Sequence, residues 1–324
     1  MIDLSIIIVN YKGWDALKTC LITFESFKDN KYSFEVIIVD NCSNDNQISV
    51  FQKRFPNFQF FENKGNYGFS NGNNYGASKA KGEYFLFLNS DIIASESSVG
   101  KLLHIIKTHT DISVLSCRKR NNAGKEESIC RFFPSFKTLT GLFRAIYKIK
   151  HKKELSDRFS LKKDLVFPDV VLGSVVMISK KNFKDIGGWN DNYWLYCEDD
   201  DLCRRAINKG GKVGLCNRVS MIHNHGGTTR INKKTTALTK TEVLISHHVY
   251  FSQNFTGIHA YLLHTFFMIS NLIFKFIPFL LGTLFFFIEP LNIRRRIYSN
   301  LIKYYSNAIV VRTWISPRSI NYKK

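Results

Sequence analysis

Short apolar runs alternate with longer mixed segments over the first third of the chain. Strands that alternate with helices predict βαβ units and a parallel sheet covered on both faces. The runs of strand length are Leu4–Val9, Val36–Asp40, Phe58–Glu62, Tyr84–Leu88 and Ser113–Cys117. The segments of helix length are Trp14–Lys28, Asn46–Phe55, Ser70–Lys81 and Glu96–His109. Ligands of such sheets bind beyond the carboxyl ends of the strands, so the polar residues there are the site candidates.

The pattern changes after residue 118. Arg118–Phe167 is basic, aromatic and poorly periodic, which fits either an acceptor-binding insertion or a mobile loop. Val170–Ser179 then predicts a strand and Lys180–Ile186 a short helix. An acidic run opens a further helix that ends near Gly210, and Val213–Val219 predicts another strand.

Residues 257–288 are strongly apolar, and a helix that spans a membrane needs about 20 such residues. Lys275 and Pro278 interrupt the stretch, which favours two shorter segments that lie in the interface or re-enter from one side. Basic residues follow it, namely Arg294, Arg295, Arg296, Lys303, Arg312, Arg318, Lys323 and Lys324. This cluster predicts contact with an anionic cytoplasmic leaflet. The alternative is a helical hairpin buried in a soluble core.

Composition narrows the classes of protein. The chain has 324 residues, 44% of them hydrophobic, so it predicts a folded protein with a sizeable core. Its formal net charge of +20 predicts attraction to nucleic acid, anionic lipid or phosphorylated substrates. Seven cysteines without a CxxC pair argue against a disulfide framework or a structural zinc site and favour a reducing compartment. The strand that begins at Leu4 does not resemble a secretory signal.

Four consecutive carboxylates, Glu198 to Asp201, stand out in so basic a chain. Repulsion among adjacent anions raises their pKa values and makes the ionised cluster costly unless a cation or a proton uses it. A helix N-terminus offsets part of that cost because its free N–H groups favour negative side chains. Two readings follow, an acid-rich helix start and a catalytic cluster.

Polar residues end three of the predicted strands. Asn10 and Tyr11 close the first, and Asp40 closes the second, where a carboxylate accepts hydrogen bonds from a ribose or a base. Asp91 follows the fourth strand, and one carboxylate there suits a divalent cation that bridges two phosphates. Each motif alone is also ordinary turn or helix-capping chemistry.

A run rich in glycine and asparagine lies between these strand ends, from Glu62 to Asn74. Glycines allow the backbone to approach a ligand closely, and asparagine side chains offer both donors and acceptors. The alternative is a surface loop that caps the next helix.

In this order and spacing, the motifs resemble the nucleotide-binding half of family 2 glycosyltransferases, the inverting enzymes of GT-A fold. They read VNY, VDN with a downstream S and D, N-x-G-N-x-G-F and LNSD. GGW followed by YCEDDDLCRR, and the histidine-rich IHNHGGTT, resemble the rhamnosyltransferase-like members. The resemblance covers about residues 4–235. It implies an α/β GT-A fold with a Rossmann-like, mostly parallel central sheet flanked by helices, followed by an apolar, helical, membrane-associated tail.

The resemblance divides the chain into a nucleotide-sugar-binding half (1–118), an acceptor-binding and catalytic half (119–235) and the helical tail (236–324). Asp40 would hold the uracil or thymine end of the donor, and Asn89 stands where the family's metal-binding D-x-D has its first Asp. The donor-binding residues that it implies are Asn10, Tyr11, Asp40, Asn66, Gly68, Asn73 and Asn89.

The resemblance also implies catalytic and metal-binding residues. Asp199 matches the catalytic base, with Glu198 beside it, whereas Asp200 is expected to be dispensable. Asp91 matches the last residue of the metal motif, and either His223 or His225 matches the family histidine near the diphosphate. The implied cofactor is a divalent cation, Mg²⁺ or Mn²⁺.

Four residues are assigned to the acceptor side: Gly173, Ser174, Trp189 and Asp201. Glu198 and Asp201 either hold sugar hydroxyls or pair with Arg204 and Arg205. A tight turn at the edge of the sheet explains Gly173 and Ser174 equally well.

The implied function is transfer of a sugar, with rhamnose as one candidate, from a UDP- or dTDP-linked donor to a glycan acceptor on a lipid diphosphate. It fits assembly of bacterial O-antigen, capsule or cell-wall polysaccharide at the cytoplasmic face of the inner membrane, with residues 257–288 as a peripheral or integral anchor. Two alternatives remain. One is a non-catalytic membrane scaffold with a transferase fold. The other is a basic nucleic-acid-binding protein, which the acidic cluster disfavours because it would repel phosphates.

Overall fold

The computed structural model describes residues 2–28, 31–128, 131–224 and 232–322. The chain forms two compact units, each built from segments that are separate in sequence. Unit 1 comprises Met1–Phe133, Lys148–Asn190 and Glu198–Gly227, and unit 2 comprises Pro134–Tyr147, Asp191–Cys197 and Thr228–Lys324. The three-part division at residues 118 and 235 stays a prediction.

Unit 1 is built on one mixed sheet, to which nine strands contribute among the described residues. They are β1 (Leu4–Asn10), β2 (Phe34–Asp40), β3 (Gln59–Glu62), β4 (Tyr84–Asn89), β5 (Ile92–Ile93), β6 (Ile112–Arg120), β7 (Leu165–Val166), β8 (Val175–Ser179) and β9 (Lys212–His223). Their order is β3-β2-β1-β4-β8-β6-β9-β5, and β7 pairs with β9. The long pairings β1–β2, β1–β4 and β6–β9 are parallel, whereas β8 runs antiparallel to both of its neighbours.

The helices follow the strands along the chain. They are α1 (Trp14–Glu25), α2 (Gln47–Arg54), α3 (Phe69–Lys79), α4 (Glu96–Thr108), α5 (Gly141–Lys150), α6 (Lys152–Arg158), α7 (Lys180–Asp185), α8 (Glu198–Asn208), α9 (Lys233–Asn254), α10 (Gly257–Leu284) and α11 (Glu289–Val311). The predicted βαβ alternation of the first third is confirmed, with boundaries that differ by a few residues.

Both faces of the sheet are buried, as a parallel sheet requires. Ile6 and Ile8 of β1 face a core that includes residues of α1 and α4, whereas Ile7 faces a second core with residues of α7 and α8. The alternation along one strand therefore supplies both layers, and the polar residues at the carboxyl ends of β1, β2 and β4 remain at one edge.

Two predictions from the middle of the chain need correction. The described residues of Arg118–Phe167 include the helices α5 and α6 and the short strand β7, so the alternative of a mobile loop is wrong for them, whereas an acceptor-binding insertion stays a prediction. Val170–Ser179 is a strand only from Val175, because residues 170–174 form the turn that leads into β8. The helices of Arg118–Phe167 were not predicted because its aromatic and basic residues do not follow a clear helical period.

Two glycines of α3 serve packing and not ligand approach. A Cβ on Gly76 would lie 2.6 Å from Cγ2 of Ile7, and one on Gly72 would lie 2.8 Å from Cγ1 of Val9. Both glycines therefore allow α3 to lie directly on β1. Gly68 differs from them because its φ of 96° at the start of α3 is in the left-handed region that favours glycine.

We expect Gly76→Ala to lower the free energy of unfolding by about 1–3 kcal/mol, because the added methyl group overpacks the contact between α3 and β1. Denaturation in urea, followed by circular dichroism, measures the effect. Gly141→Ala is the matched control, since a Cβ at the first residue of α5 meets nothing within 4 Å. Equal stability of the two variants would contradict the close packing of α3.

Unit 2 is helical, with α9, α10 and α11 packed together. Trp314 stacks on two buried histidines, with ring centroids 4.7 Å from His248 and 4.3 Å from His264. By length and composition α10 is the one helix among the described residues that could cross a membrane. The sequence predicted two shorter segments here, which is wrong, because α10 continues through Lys275 and Pro278 for 28 residues.

Candidate active site

Asp40 is buried at the carboxyl end of β2, where it pairs in register with Asn10 of β1. Ser43 binds its carboxylate twice: the backbone N–H donates at 2.9 Å and the hydroxyl donates at 2.5 Å. Burial raises the pKa of Asp40, and hydrogen bonds from Ser43 and Asn10 oppose that rise. The result is a fixed acceptor at the strand end, suited to the ring N–H of uracil or thymine.

The loops that follow β1 and β2 are tied together and strained. The backbone N–H of Lys12 donates to the hydroxyl of Ser43 at 2.8 Å, next to the half-buried Tyr11. Lys12, Cys42 and Asn44 all have φ between 54° and 63°, which is uncommon for residues other than glycine. Such strain concentrates at functional sites, where the surrounding structure holds it.

A network of asparagine side chains shapes the segment before α3. The Asn41 amide donates to Oδ1 of Asn66 at 3.2 Å and to the carbonyl of Gly68 at 2.9 Å. Its own oxygen accepts from Asn63 at 3.0 Å, which also donates to Asn71 at 2.9 Å. Asn66 and Gly68, both predicted donor-site residues, are thus held by Asn41 at the end of β2. Sequence analysis assigned no role to Asn41 or Asn63.

Asn73 and its neighbour Asn74 have different surroundings. Asn73 is fully buried, and its amide donates to the carbonyl of Phe69 at 3.0 Å. Asn74 exchanges two hydrogen bonds with the backbone of Trp189, at 2.7 and 2.9 Å. Asn74, which the sequence analysis did not single out, therefore anchors the Gly-Gly-Trp turn.

Asp91 and His223 meet where the short strand β5 pairs with β9. Ile92 pairs with His223 in antiparallel register, and Oδ1 of Asp91 lies 3.2 Å from Nε2 of His223. Asn89 at the end of β4 donates its backbone N–H to the carbonyl of Ser174 at 3.0 Å. Of the two candidate histidines, His223 thus lies beside the metal-motif carboxylate, whereas His225 lies outside the described residues.

Glu127 is a partly buried partner of His223 that sequence analysis missed. Its Oε1 lies 2.5 Å from Nδ1 of His223, and its Oε2 lies 3.7 Å from Nζ of Lys119, a lysine that is 4% exposed. Burial lowers the pKa of His223, but the hydrogen bonds to Asp91 and Glu127 outweigh it and raise the pKa to about 9. Burial also lowers the pKa of Lys119, against the attraction of Glu127.

These residues fit a divalent cation. Asp91 and His223 would supply an oxygen and a nitrogen to a cation that displaces the Nε2 proton between them, and the other ring nitrogen of His223 bonds to Glu127, as in many histidines that ligate metals. No group of three or more metal-ligating side chains occurs in the part of the chain that the structure describes. Phosphate oxygens and water would therefore complete the coordination, as is usual for magnesium.

Asp199, on the first turn of α8, is held by backbone and by charge. Its Oδ2 accepts from the N–H of Gly173 at 3.1 Å and lies 3.7 Å from Nη1 of Arg131. Its side chain keeps 10% of its surface exposed. Gly173 thus positions the predicted base through its backbone, and Ser174, also buried, accepts from Asn89. Arg131 was missed because it lies in the segment without periodicity.

The acidic cluster is buried and not a solvated helix start. Burial, together with the charge of Asp199, raises the pKa of Glu198 well above its ordinary range. Asp200 is 3% exposed, and its Oδ2 lies 3.9 Å from Nη2 of Arg131. The burial and pairing of Asp200 argue against its being dispensable.

Two residues assigned to the acceptor are structural. Asp201 is 2% exposed, and its carboxylate pairs with Arg205 at 2.7 Å. Of the two roles predicted for Asp201, this contact favours the ion pair with arginine over binding of sugar hydroxyls. Arg205 in turn donates to the carbonyls of Gly188, at 2.7 Å, and of Ile186. Trp189 is 1% exposed and packs edge to face against other aromatic rings of the core. These contacts give both side chains a structural role, and an acceptor-binding role for Asp201 and Trp189 stays a prediction.

Neighbouring contacts place the candidate residues along one edge of the sheet. Asp40 pairs with Asn10 at the ends of β2 and β1, and Asn89 lies at the end of the next strand, β4. Ser174 bonds to Asn89, and the adjacent Gly173 bonds to Asp199. The predicted nucleotide-binding residues and the predicted catalytic base are therefore linked through paired strand ends and backbone hydrogen bonds.

A separate cavity of about 1260 Å³ lies along α4. Its lining includes Lys101, His104 and Arg218, and none of the predicted site residues. The strand-end carboxylates do not line this cavity, so its size does not make it the candidate active site.

Two family models match the chain in succession. Residues 5–165 match the model for glycosyl transferase family 2, and residues 166–235 match the model described as the N-terminal domain of galactosyltransferase. Together they cover the strand-end residues, Asp199 and His223.

Two curated relatives match over most of this region. The low-salt glycan biosynthesis hexosyltransferase Agl10 of Haloferax volcanii is 28% identical over 68% of this chain and 67% of its own length. The rhamnosyltransferase WbbL of Escherichia coli (strain K12) is 25% identical over 67% of this chain and 82% of its own length.

Solved structures of low sequence identity share the fold. Residues 1–349 of S. aureus TarS superpose with a TM-score of 0.51 at 15% identity, covering 96% of this chain and 92% of that one. GalNAc-T7, solved with UDP, GalNAc and Mn²⁺, superposes with a TM-score of 0.54 at 16% identity over 74% of this chain. The matched region is 48% of the length of GalNAc-T7. These similarities show a GT-A fold.

Proposed function

Because the chain belongs to glycosyltransferase family 2 and is a glycosyltransferase of GT-A fold, we propose that it transfers a sugar, with inversion, from a nucleoside diphosphate donor to a glycan hydroxyl. The observation that carries the proposal is the position of Asp199. Its carboxylate is fixed by the N–H of Gly173, next to the Ser174 that bonds to Asn89 at the end of β4.

The donor occupies the carboxyl edge of the sheet in this proposal. Asp40 accepts from the base ring, with Asn10 and Tyr11 beside it, and the asparagine network holds the backbone that borders the donor. The diphosphate lies toward Asp91 and His223. A divalent cation bound by these two residues would neutralise the charge that develops on the leaving diphosphate.

The transfer is a single displacement. Asp199 accepts the proton of the acceptor hydroxyl. The hydroxyl oxygen meanwhile attacks the anomeric carbon from the face opposite the diphosphate. The new C–O bond forms as the bond to the diphosphate breaks, which inverts the configuration. Arg131 lies 3.7 Å from the Asp199 carboxylate, and burial raises the pKa of the neighbouring Glu198.

The finer assignment rests on relatives. We propose a UDP- or dTDP-linked donor because Asp40 matches the position that holds uracil or thymine in the family, and rhamnose is one candidate because WbbL is a rhamnosyltransferase. A lipid-diphosphate-linked glycan acceptor suits the apolar α10 and the basic surface, at the cytoplasmic face of the inner membrane. Surface polysaccharide assembly is the process that we propose, and the glycan role in the name of Agl10 supports it.

A donor screen tests the proposal. Purified chain is incubated with single nucleotide sugars and a lipid-linked acceptor, and nucleoside diphosphate release is measured with and without EDTA. We expect release from one UDP- or dTDP-sugar and loss of that release in EDTA. Release from none of the donors would favour the alternative of a non-catalytic scaffold.

We expect Glu127→Gln to lower transfer by about 10–100-fold, because partners that orient a ligating histidine typically contribute that much. The amide keeps the size of Glu127 but not its charge, so His223 loses its strongest orienting contact. Steady-state rates at saturating donor, together with Mn²⁺ affinity from calorimetry, measure the effect.

The neighbouring Glu126→Gln is the matched control. Glu126 pairs with Arg118 and its side chain is 41% exposed, so its loss is expected to leave both measurements unchanged. Equal effects of the two substitutions would contradict a positioning role for Glu127.

A further inference from the structure

One side of α10 is an exposed apolar stripe. Its residues recur every three to seven positions, which places them on one side of a helix. They are Ile258, Leu262, Ile269, Ile273, Ile277, Leu280 and Leu284, each between 43% and 70% exposed. The turn after the helix, residues 285–288, adds four exposed apolar side chains. Exposed apolar area of this extent on a folded domain indicates an interaction surface.

The helix α5 extends the stripe. Phe266 belongs to the same side of α10 but is only partly exposed, because Phe143 of α5 stacks on it with ring centroids 6.2 Å apart. Leu142 and Ile146 of α5 are themselves 69% and 42% exposed. Arg144 lies between them, so α5 has the mixture of apolar and basic residues that is typical of helices at a membrane surface.

The neighbouring helix α11 argues against a crossing by α10. The two helices run side by side, since Tyr298 stacks on Phe279 at 4.7 Å and Tyr305 hydrogen-bonds with Asn271 near the middle of α10. If α10 crossed the bilayer, α11 would lie in the hydrocarbon with it. Lys303, two residues from Tyr305, is exposed and would then be placed at mid-membrane without a partner helix around it.

The other side of α10 is covered within unit 2, where its own polar residues His264 and Asn271 are buried. A helix that its own domain covers on one side is suited to lie in the membrane interface.

We propose that α5 and the exposed stripe of α10 form one docking surface that lies flat on an anionic lipid bilayer, with α10 parallel to the membrane plane. Apolar side chains of the stripe and of residues 285–288 enter the headgroup boundary of one leaflet. Arg294 and Arg296, shortly after the turn, bind lipid phosphates. The charge of the chain indicates which partner binds this surface. Its formal net charge is +20, and an anionic bilayer offers both an apolar interior for the stripe and negative headgroups for the basic residues.

Vesicle flotation tests the surface. The full chain is mixed with vesicles of phosphatidylglycerol and phosphatidylcholine in equal parts, or of phosphatidylcholine alone. We expect strong binding to the anionic vesicles and weak binding to the neutral ones. Ile273→Asp combined with Ile277→Asp abolishes binding, whereas Val50→Asp, an exposed apolar residue of α2, leaves it unchanged. Thermal unfolding confirms that all variants are folded.

Depth measurement tests the orientation. Nitroxide labels are attached to Leu262→Cys, Ile269→Cys or Ile277→Cys, with the unsubstituted chain measured in parallel for background. A helix that lies in the membrane plane predicts one shallow depth for all three labels. A crossing helix places the label at 269 deeper than the others by about 10 Å, since seven residues advance a helix by that distance.

Three results would overturn the proposal: undiminished vesicle binding by the aspartate variant, a depth gradient, or a dimer that the aspartate variant dissociates while vesicle binding persists. The last would make the surface an interface between two copies. None of these measurements uses a nucleotide sugar, so their failure is separable from a failure of the proposed glycosyl transfer.

Discussion

Asp199→Asn is expected to lower the turnover of sugar transfer by about 10³-fold, within the 10²–10⁴ range that general bases contribute. The asparagine is of equal size and its one amide oxygen still accepts the hydrogen bond from Gly173, whereas the bond that the second carboxylate oxygen accepts from the N–H of Asp200 is lost. It cannot take up the acceptor proton. Initial rates at saturating donor and acceptor measure the loss, and the KM for the donor is expected to stay unchanged.

Stability separates catalysis from folding in this variant. The charge of Asp199 helps to raise the pKa of the buried Glu198, so its removal relieves repulsion but also weakens the contact with Arg131, and we expect Tm to change little. Asp185→Asn, an exposed carboxylate of α7, is the matched control with normal turnover. Wild-type turnover in Asp199→Asn at normal protein levels would falsify the base assignment.

Asp91→Asn is expected to lower transfer by about 10²–10³-fold, the loss typical when one group that stabilises developing negative charge is removed. The substitution removes the charge partner of His223 and a ligand for the divalent cation. We expect calorimetry to show no Mn²⁺ binding in the presence of nucleoside diphosphate, and EDTA to bring the wild type to the rate of the variant.

Binding of the base moiety should survive in this variant, since Asp40 and its Ser43 hydrogen bonds are untouched. Asp111→Asn, an exposed carboxylate that pairs with Lys212, serves as the control. An Asp91→Asn variant that retains Mn²⁺ binding would place the cation elsewhere.

The fold was predictable because it depends on repeated patterns. The run at Leu4–Asn10 and its counterparts have the length and apolar content of buried strands, and helical segments separate them. Motifs in a fixed order then indicated the GT-A fold. The direction of β8 was not predictable from the sequence. It runs antiparallel to β4, a strand far away along the chain, and no local pattern in β8 specifies that pairing.

The strand-end residues were also predictable, but their supports were not. Asp40 and Asp91 stand out because each follows an apolar strand. Glu127 and Arg131 lie in a segment without periodicity, and only the fold brings them to His223 and Asp199. Single residues that act through long-range contacts leave no pattern in a sequence.

Burial decided the cases that the sequence left open. Trp189 and Asp201 have the residue types of an acceptor site, yet packing against the core and the pair with Arg205 account for them. The glycines of α3 fit a ligand-binding loop equally well until the contact of Gly76 with Ile7 is seen. A residue type indicates which chemistry a side chain can perform. Packing determines whether a ligand can reach that side chain.

The central claim is that one bound donor lies along the strand ends, between Asp40 and Asp199. A structure of the chain with a nucleoside diphosphate and Mn²⁺ tests it directly. We predict the base ring within hydrogen-bond distance of Asp40, and the diphosphate and cation between Asp91 and His223. A nucleotide bound instead in the cavity along α4, or with its base away from Asp40, would contradict the account.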